Sequence, residues 1–378
     1  MGDYVRQMPD QGSADLARRP SLASRLHIDV PLLLLVLTVY GLIVLYSGSD
    51  SDMGAVIRQA QYFGLAYLGM FLIAQISLQR IMRWAPWLYL LGVVLLVAVM
   101  FAGVGAKGAQ RWLQLGGFRF QPSEILKLVL PLTLAWYLAD RSLPPRLLHI
   151  LVCLGILGVP AVLILKQPDL GTAVLIAASG LFVLFLAGMG WRYILGAVLA
   201  AAASAWPMWM FVLKDYQKQR ILTMLDPESD KLGAGWNIIQ SKTAIGSGGW
   251  EGKGWMLGTQ SHLDFLPESH TDFIIAVLSE EFGLRGVLLL MGIYLLILLR
   301  GFWIGVQAPT SFGRLVAGSV TLTFFVYIFV NMGMVAGLLP VVGVPLPLVS
   351  AGGTSVVTLM AGFGILMAVS TQKPLVPR

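Results

Sequence analysis

Apolar residues run through this chain in long blocks, not in the alternating or 3.6-residue stripes of a water-soluble fold. Ten blocks are long enough to cross a bilayer as helices: 29–47, 59–78, 84–103, 124–139, 147–165, 170–189, 192–213, 287–304, 315–337 and 354–370. The block at 124–139 is the shortest and is interrupted by Lys127. Polar positions gather between blocks, and one interval, 214–286, is far longer than the others. Loops of that length are usually functional or disordered, and this one is too rich in Trp, Leu and Ile for a plain linker. The pattern predicts an all-α polytopic membrane protein of about ten transmembrane helices, with a large outer loop between spans seven and eight. Residues 1–27 read as a polar cytoplasmic tail and 28–378 as one membrane domain that includes the loop 214–286.

Composition strengthens that picture. Of 378 residues 57% are hydrophobic and 12% charged, and the mean hydropathy is +0.78; a soluble protein of this size has too little interior for so much apolar surface. Cys153, the single cysteine, lies in an apolar run, so neither a disulfide framework nor a thiolate metal site forms within the chain. The segment "RRPSLASRLHID" before the first block is too long and polar for an ordinary cleaved signal, so span one reads as an uncleaved anchor.

Charge sets the orientation. With the N-terminus inside, the inner segments carry 13 of the 26 basic residues against five acids, and the remainder of the chain carries 13 basic against 14 acidic. The net +7 is thus +8 inside and −1 elsewhere. Both tails are expected in the cytoplasm, and the basic face meets anionic membrane lipid, not nucleic acid.

Three outer segments depart from ordinary loop chemistry. The first, "GAKGAQRWLQLGGFRFQPSEILK" (105–127), carries Lys107, Arg111 and Arg119 with no acid before Glu124. It reads either as an interfacial anchor, with Trp112 and Phe120 at the headgroups, or as a docking surface for an anionic group such as a phosphate. The second is the long loop. Its "GSGGWEGKG" imitates a phosphate-binding loop but has Ser247 for the first Gly and Gly254 after Lys253, so that motif is rejected. The third, "LLPVVGVPLPLVSAGGTS" (338–355), has three prolines and no charge. Non-helical backbone of that kind is tolerated at membrane depth only against protein or a wet cavity.

A fourth stretch, "LPESHTDFIIAVLSEEFG" (266–283), gathers Glu268, His270, Asp272, Glu280 and Glu281. One straight helix from Asp272 to Leu299 would be about 42 Å long and would carry both glutamates into a core of about 30 Å. A break at Gly283–Gly286 removes the conflict. Asp272 then starts a short helix at the outer interface, and span eight begins near Val287. Helical spacing puts Glu281 within reach of Arg285 at i+4. Two further groups sit at membrane depth, where ionisable residues are costly: the i,i+3 pair Glu124–Lys127, and Asp169 in "KQPDLG". Each has a structural alternative, a simple ion pair for the first and a helix cap for the second; Asp272 is likewise a good cap. The residues alone support two functions, a transferase acting on a lipid-anchored anionic substrate and a transporter of such a lipid.

The motifs "GAQRWLQLGGFRFQPSEILK", "KQPDLGTA", "NIIQSKTAIGSGG", "FLPESHTDFIIAVLSEEFG" and "LPVVGVPLPLVSAGGTS", in this order over most of the chain, resemble the bacterial SEDS family (shape, elongation, division and sporulation). "GTQS" and "GVPLPLVS" are more similar to its elongation branch, and Ala351 departs from the aromatic common after "LPLVS". The resemblance implies a peptidoglycan glycosyltransferase of the inner membrane that polymerises lipid II. It also implies ten spans, a class B penicillin-binding protein as partner, and Asp272 as the catalytic aspartate. The chemistry agrees with that assignment. An α-linked diphosphate becomes a β-1,4 bond, so the step inverts and wants one general base. The diphosphate leaves as an anion and wants positive charge, not an acid. Substrate-binding candidates are Lys107, Arg111, Arg119, Lys127, Arg220 and Lys242, together with Asp169, His270 and Ser350. Glu124 either positions Lys127 or helps hold a divalent cation such as Mg2+ or Mn2+. A lipid II flippase and a non-catalytic scaffold of the elongation machinery are the alternatives.

Overall fold

The computed structural model describes residues 28–106, 109–115, 118–230, 234–262 and 268–372. The main helices are α1 (Asp29–Gly48), α2 (Met53–Ala74), α3 (Leu78–Ala102), α4 (Pro122–Ala139), α5 (Leu147–Lys166), α6 (Leu170–Leu186) and α7 (Trp191–Pro207). After them come α8 (Asp215–Leu225), α9 (Ala234–Gly248), α10 (Thr259–His262), α11 (Ile274–Gln307), α12 (Ser311–Val335) and α13 (Thr354–Ser370). Six described helices are long and apolar enough to cross a membrane, and α6 and α13 are shorter apolar helices. The chain is a helical multi-pass membrane protein.

Each predicted block holds a helix, but the ends differ where a cap outruns the apolar run. Block 59–78 becomes α2 at Met53–Ala74, because the Asp52 carboxylate accepts the Gly54 N–H at 2.8 Å and starts the helix a turn and a half early. That bond holds the Asp52 carboxyl below the usual carboxylate range. Asp169 and Thr310 cap α6 and α12 in the same way, and Pro122 occupies the first turn of α4. Between α3 and α4 the chain departs from pure helix. Strands β1 (Val104–Ala106), β2 (Ala109–Leu115) and β3 (Phe118–Phe120) form an antiparallel ribbon, with Gln114 opposite Arg119.

The centre is a continuous apolar core in which the Tyr294, Phe324 and Phe363 rings meet edge to face at 5.7 and 5.1 Å. The Tyr294 hydroxyl donates to the Pro347 carbonyl at 2.8 Å, tying the proline-rich segment into that core. Residues 346–350 are buried, as expected for backbone held against protein.

The expected break in α11 falls at Gly283, which has φ 65 and ψ −163. A Cβ there would collide with the Gly252 backbone, so only glycine lets the 249–254 turn approach. That turn pairs with the backbone groups the kink releases. Lys253 N and Gly254 N donate to the carbonyls of Glu280 and Glu281 at 3.0 Å each; Leu284 N donates to Gly249 O at 2.9 Å and Arg285 N to Trp250 O at 3.3 Å. The rejected phosphate-loop look-alike is therefore the strap that satisfies the break.

Two expectations about this segment are corrected. Residues 274–281 are buried inside the protein, not laid on an interface. The Glu280 carboxylate accepts Lys253 Nζ at 2.7 Å, Thr259 N at 2.8 Å and Gln260 N at 3.0 Å, so it clamps the long loop onto α11. Glu281 takes the Ser47 hydroxyl, while Arg285 pairs with Glu251 at 3.0 Å. The i,i+4 pairing of Glu281 with Arg285 fails because Gly283 interrupts the helical register between them.

Candidate active site

The site lies at the end of the bundle that carries the β-ribbon and the segments 249–262 and 268–272. Its first wall is the start of α4. Proline at the first turn fixes the helix, and i,i+3 spacing then stacks Glu124 and Lys127 on one face. Lys127 Nζ lies 2.5 Å from Glu124 Oε1, both side chains are buried, and the ammonium sits 5.1 Å over the Tyr327 ring. The second wall is the cap of α6. Asp169 Oδ1 accepts the Thr172 N–H at 3.1 Å, and Oδ2 accepts Gln121 Nε2 at 3.3 Å with Arg111 Nε at 3.6 Å. Arg111 also donates to the Pro168 carbonyl at 2.6 Å. Asp169 is thus both the helix cap and the anchor of an arginine.

The third wall carries Asp272. The helix that follows has Phe273 as its N-cap residue and no side-chain cap bond, so Asp272 is not its cap. Its main chain is pinned. Asn331 Nδ2 donates to the Asp272 carbonyl at 2.9 Å and to the Val344 carbonyl at 2.8 Å. Ser350 Oγ donates to the Thr271 carbonyl at 2.5 Å while accepting Leu346 N at 2.8 Å. The Asp272 carboxylate lies against Gly343, where a Cβ would stand 3.5 Å from Oδ2.

These walls enclose one cavity of about 330 Å³, lined by Arg111, Trp112, Gln121, Glu124, Lys127, Asp169, Thr172, Glu268, Thr271, Asp272, Tyr327 and residues 342–345 and 351–355. It brings together five of the predicted residues. Ser350 is buried beneath it, with its hydroxyl engaged inside the fold. His270 is exposed in an adjoining chamber. Arg220 on α8 and Lys242 on α9 do not line the cavity; the Lys242 ammonium end lies beside Gly337. Lys107 lies outside the described residues, and Arg119 is placed by its backbone alone. Among the described residues no group of three or more His, Cys, Asp or Glu gathers as for a metal.

Sequence reasoning missed Tyr327, Asn331 and Gly343. The first two had a signal, being polar groups four residues apart in the apolar second half of α12. Gly343 had none, since its role rests on a φ of 74 and on a neighbour 71 positions away.

Fold and site define a class: a multi-pass helical membrane protein in which two carboxylate-anchored cations line the same cavity as Asp272. Within that class the FtsW/RodA/SpoVE model, described as cell cycle protein, matches residues 28–374, so the chain belongs to this family, the one its motifs resemble. It is 50% identical over 366 residues to the peptidoglycan glycosyltransferase MrdB of Escherichia coli (strain K12), covering 96% of this chain and 99% of that one. It is 35% identical to a probable peptidoglycan glycosyltransferase FtsW of Trichlorobacter lovleyi, covering 96% and 98%. Among solved structures, a chain from a peptidoglycan synthase complex that coordinates polymerization and crosslinking superposes with a TM-score of 0.79 at 32% identity, covering 90% of this chain and 96% of that one. The Thermus thermophilus rod shape determining protein RodA superposes with a TM-score of 0.68 at 29% identity, covering 90% and 95%.

Proposed function

We propose that this chain is a peptidoglycan glycosyltransferase that polymerises lipid II at the outer face of the bacterial inner membrane during elongation. The observation that carries the reading is the meeting of Asp272 with Arg111 and Lys127 in one cavity. Asp272 accepts the proton of the attacking GlcNAc 4-hydroxyl. The new O4–C1 bond forms as the C1–O bond to the lipid diphosphate breaks, and the diphosphate leaves with the electron pair. Arg111 and Lys127 supply the positive charge that this anion needs. Asp169 and Glu124 hold those cations in place before substrate arrives, which removes reorganisation from the reaction step. A divalent cation carried in with the diphosphate would add counter-charge there.

An apolar groove of about 750 Å³ between α2, α4 and α13 shares Trp112, Gln121, Glu124, Gly353 and Thr354 with the cavity, a fitting route for a polyprenyl chain from the bilayer. Ten spans with both termini in the cytoplasm put the cavity outside, where the wall is assembled. A class B penicillin-binding protein is the partner that crosslinks the product. The similarity to a chain from a synthase complex supports that partnership. The test is purified protein with lipid II, with and without the partner, assayed for glycan polymer. Polymer is expected. Translocation of lipid II without polymer would replace the reading with the flippase.

A further inference from the structure

Behind the Glu124–Lys127 pair lies a smaller space that the reaction above leaves unused. It is a pocket of about 30 Å³ where α4, α12 and α13 meet. Glu124, Lys127 and Tyr327 line both this pocket and the Asp272 cavity, so the buried ion pair and the ring beside it form the partition between the two. The rest of the wall is mostly apolar, with Leu128, Phe324 and Phe363 among its side chains. About 10–15 Å³ suffices for one water, so the pocket has room for roughly two.

Two features of that wall call for a hydrogen-bonding guest. The first is Thr323, one helical turn before Tyr327 on α12 and itself a lining residue. It is only 9% exposed, and its hydroxyl has no partner among the described residues. Threonine within a helix commonly gives its hydroxyl to the carbonyl three or four residues back. Thr133, Thr321 and Thr358 do so, to the carbonyls of Val129, Ala317 and Thr354 at 2.9, 2.8 and 3.0 Å. Thr323 makes no such bond, and a buried hydroxyl left unpaired is costly. The second feature is Pro131 of α4, which also lines the pocket. Proline has no N–H, so the Lys127 carbonyl four residues back lacks its helical donor. The pocket is thus bordered by an unpaired hydroxyl, by a residue whose carbonyl has lost its usual partner, and by the ion pair itself.

We infer that this pocket holds buried water joining Thr323 to Lys127, and that Thr323 is a positioning residue for the Lys127 ammonium. The functional half of the inference rests on the glycosyltransferase reading. An ammonium has three protons to donate, and Glu124 Oε1 takes one of them at 2.5 Å. Water in the pocket accepts a second and gives its own protons to the Thr323 hydroxyl and the Lys127 carbonyl. The third proton is left for the diphosphate in the cavity. A bridging water is nearly as good a partner as a direct hydrogen bond, and a buried ion pair needs its remaining groups satisfied. Without the water, the ammonium closes on Glu124 and presents less of its charge to the substrate.

The experiment pairs a density map with a rate. In a crystal structure of the full chain that resolves other buried waters, density inside this pocket within hydrogen-bonding distance of Thr323 Oγ1 is expected in the wild type and not in Thr323→Val. A dry wild-type pocket, or a Thr323 hydroxyl bonded to the Ser319 carbonyl, overturns the water site. Valine keeps the shape of threonine without its hydroxyl. Thr323→Val, in complex with the partner transpeptidase, is expected to polymerise lipid II about tenfold more slowly at an unchanged melting temperature. Thr323→Ser keeps the hydroxyl and should restore the rate to within about twofold of wild type. A valine variant as active as wild type, or a serine variant as slow as valine, overturns the positioning role. If Thr323→Val fails to fold, Thr323→Cys, whose thiol is a weak hydrogen-bonding group, takes its place in both measurements. A wild type with water in the pocket that makes no polymer would contradict the glycosyltransferase reading and leave the water site standing.

Discussion

At the scale of single residues, the site is built from pairs in which one member positions the other. Arg111 is the informative member, because it is partly exposed and its removal leaves Asp169 with the Thr172 and Gln121 bonds. Arg111→Ala is expected to fold normally and to lower polymerisation about tenfold or more, whereas Arg80→Ala, exposed at the start of α3, should be within about twofold of wild type. Hydrogen bonds to charged groups are worth about 1.5–3 kcal/mol, which sets that scale. Equal rates in the two variants would make Arg111 an anchor and nothing more. Lys127→Ala is a poorer probe, since it would strand the buried Glu124 carboxylate and lower stability as well. The ionisable groups were legible in the sequence because a charge in an apolar run stands out. Asn331 and Ser350 were harder to read. Both stand out as polar groups in apolar sequence, but they act by clamping the 271–272 backbone to the 344–350 segment, and that role, a contact across 59 or 79 positions, leaves no local pattern. Arg220 and Lys242 show the converse, cations in a suitable loop that the fold carries away from the cavity.

At the scale of elements, apolar block length located the helices, and caps moved their ends. The kink in α11 was legible because length and charge together forbade a straight helix. What the sequence could not tell was its partner. The 249–254 strap pairs with both sides of the break, and this converted two expected interfacial glutamates into buried ones. Gly283→Ala tests the arrangement. At φ 65 and ψ −163, a region populated almost only by glycine, any other residue is unfavourable by about 1–3 kcal/mol, and here the added Cβ also meets the Gly252 backbone. Folded yield is expected to drop sharply, and amide exchange at Lys253 and Gly254 to accelerate in whatever folds. An unchanged melting temperature with unchanged exchange would mean that the strap does not support the break.

At the scale of the whole molecule, the account joins orientation, fold and chemistry. In a Cys153→Ser background, a cysteine at exposed Gln219 should react with an impermeant maleimide once the outer membrane is opened; cysteines at exposed Ser142 or Gln307 should react only after lysis. The reverse pattern would place the cavity on the side that makes no wall. The central claim is that Asp272 acts as a base and not as a structural group, and one substitution separates the two. Asn keeps the size of Asp and can still accept a hydrogen bond, but it cannot accept a proton at neutral pH. Loss of a general base lowers rates by about 10²–10⁴. The most direct measurement is therefore glycan polymer made from lipid II by purified Asp272→Asn protein bound to its partner, set beside wild type of equal folded yield. The account predicts that polymer falls at least about a hundredfold while partner binding is unchanged. Polymerisation above about a tenth of the wild-type rate would contradict it.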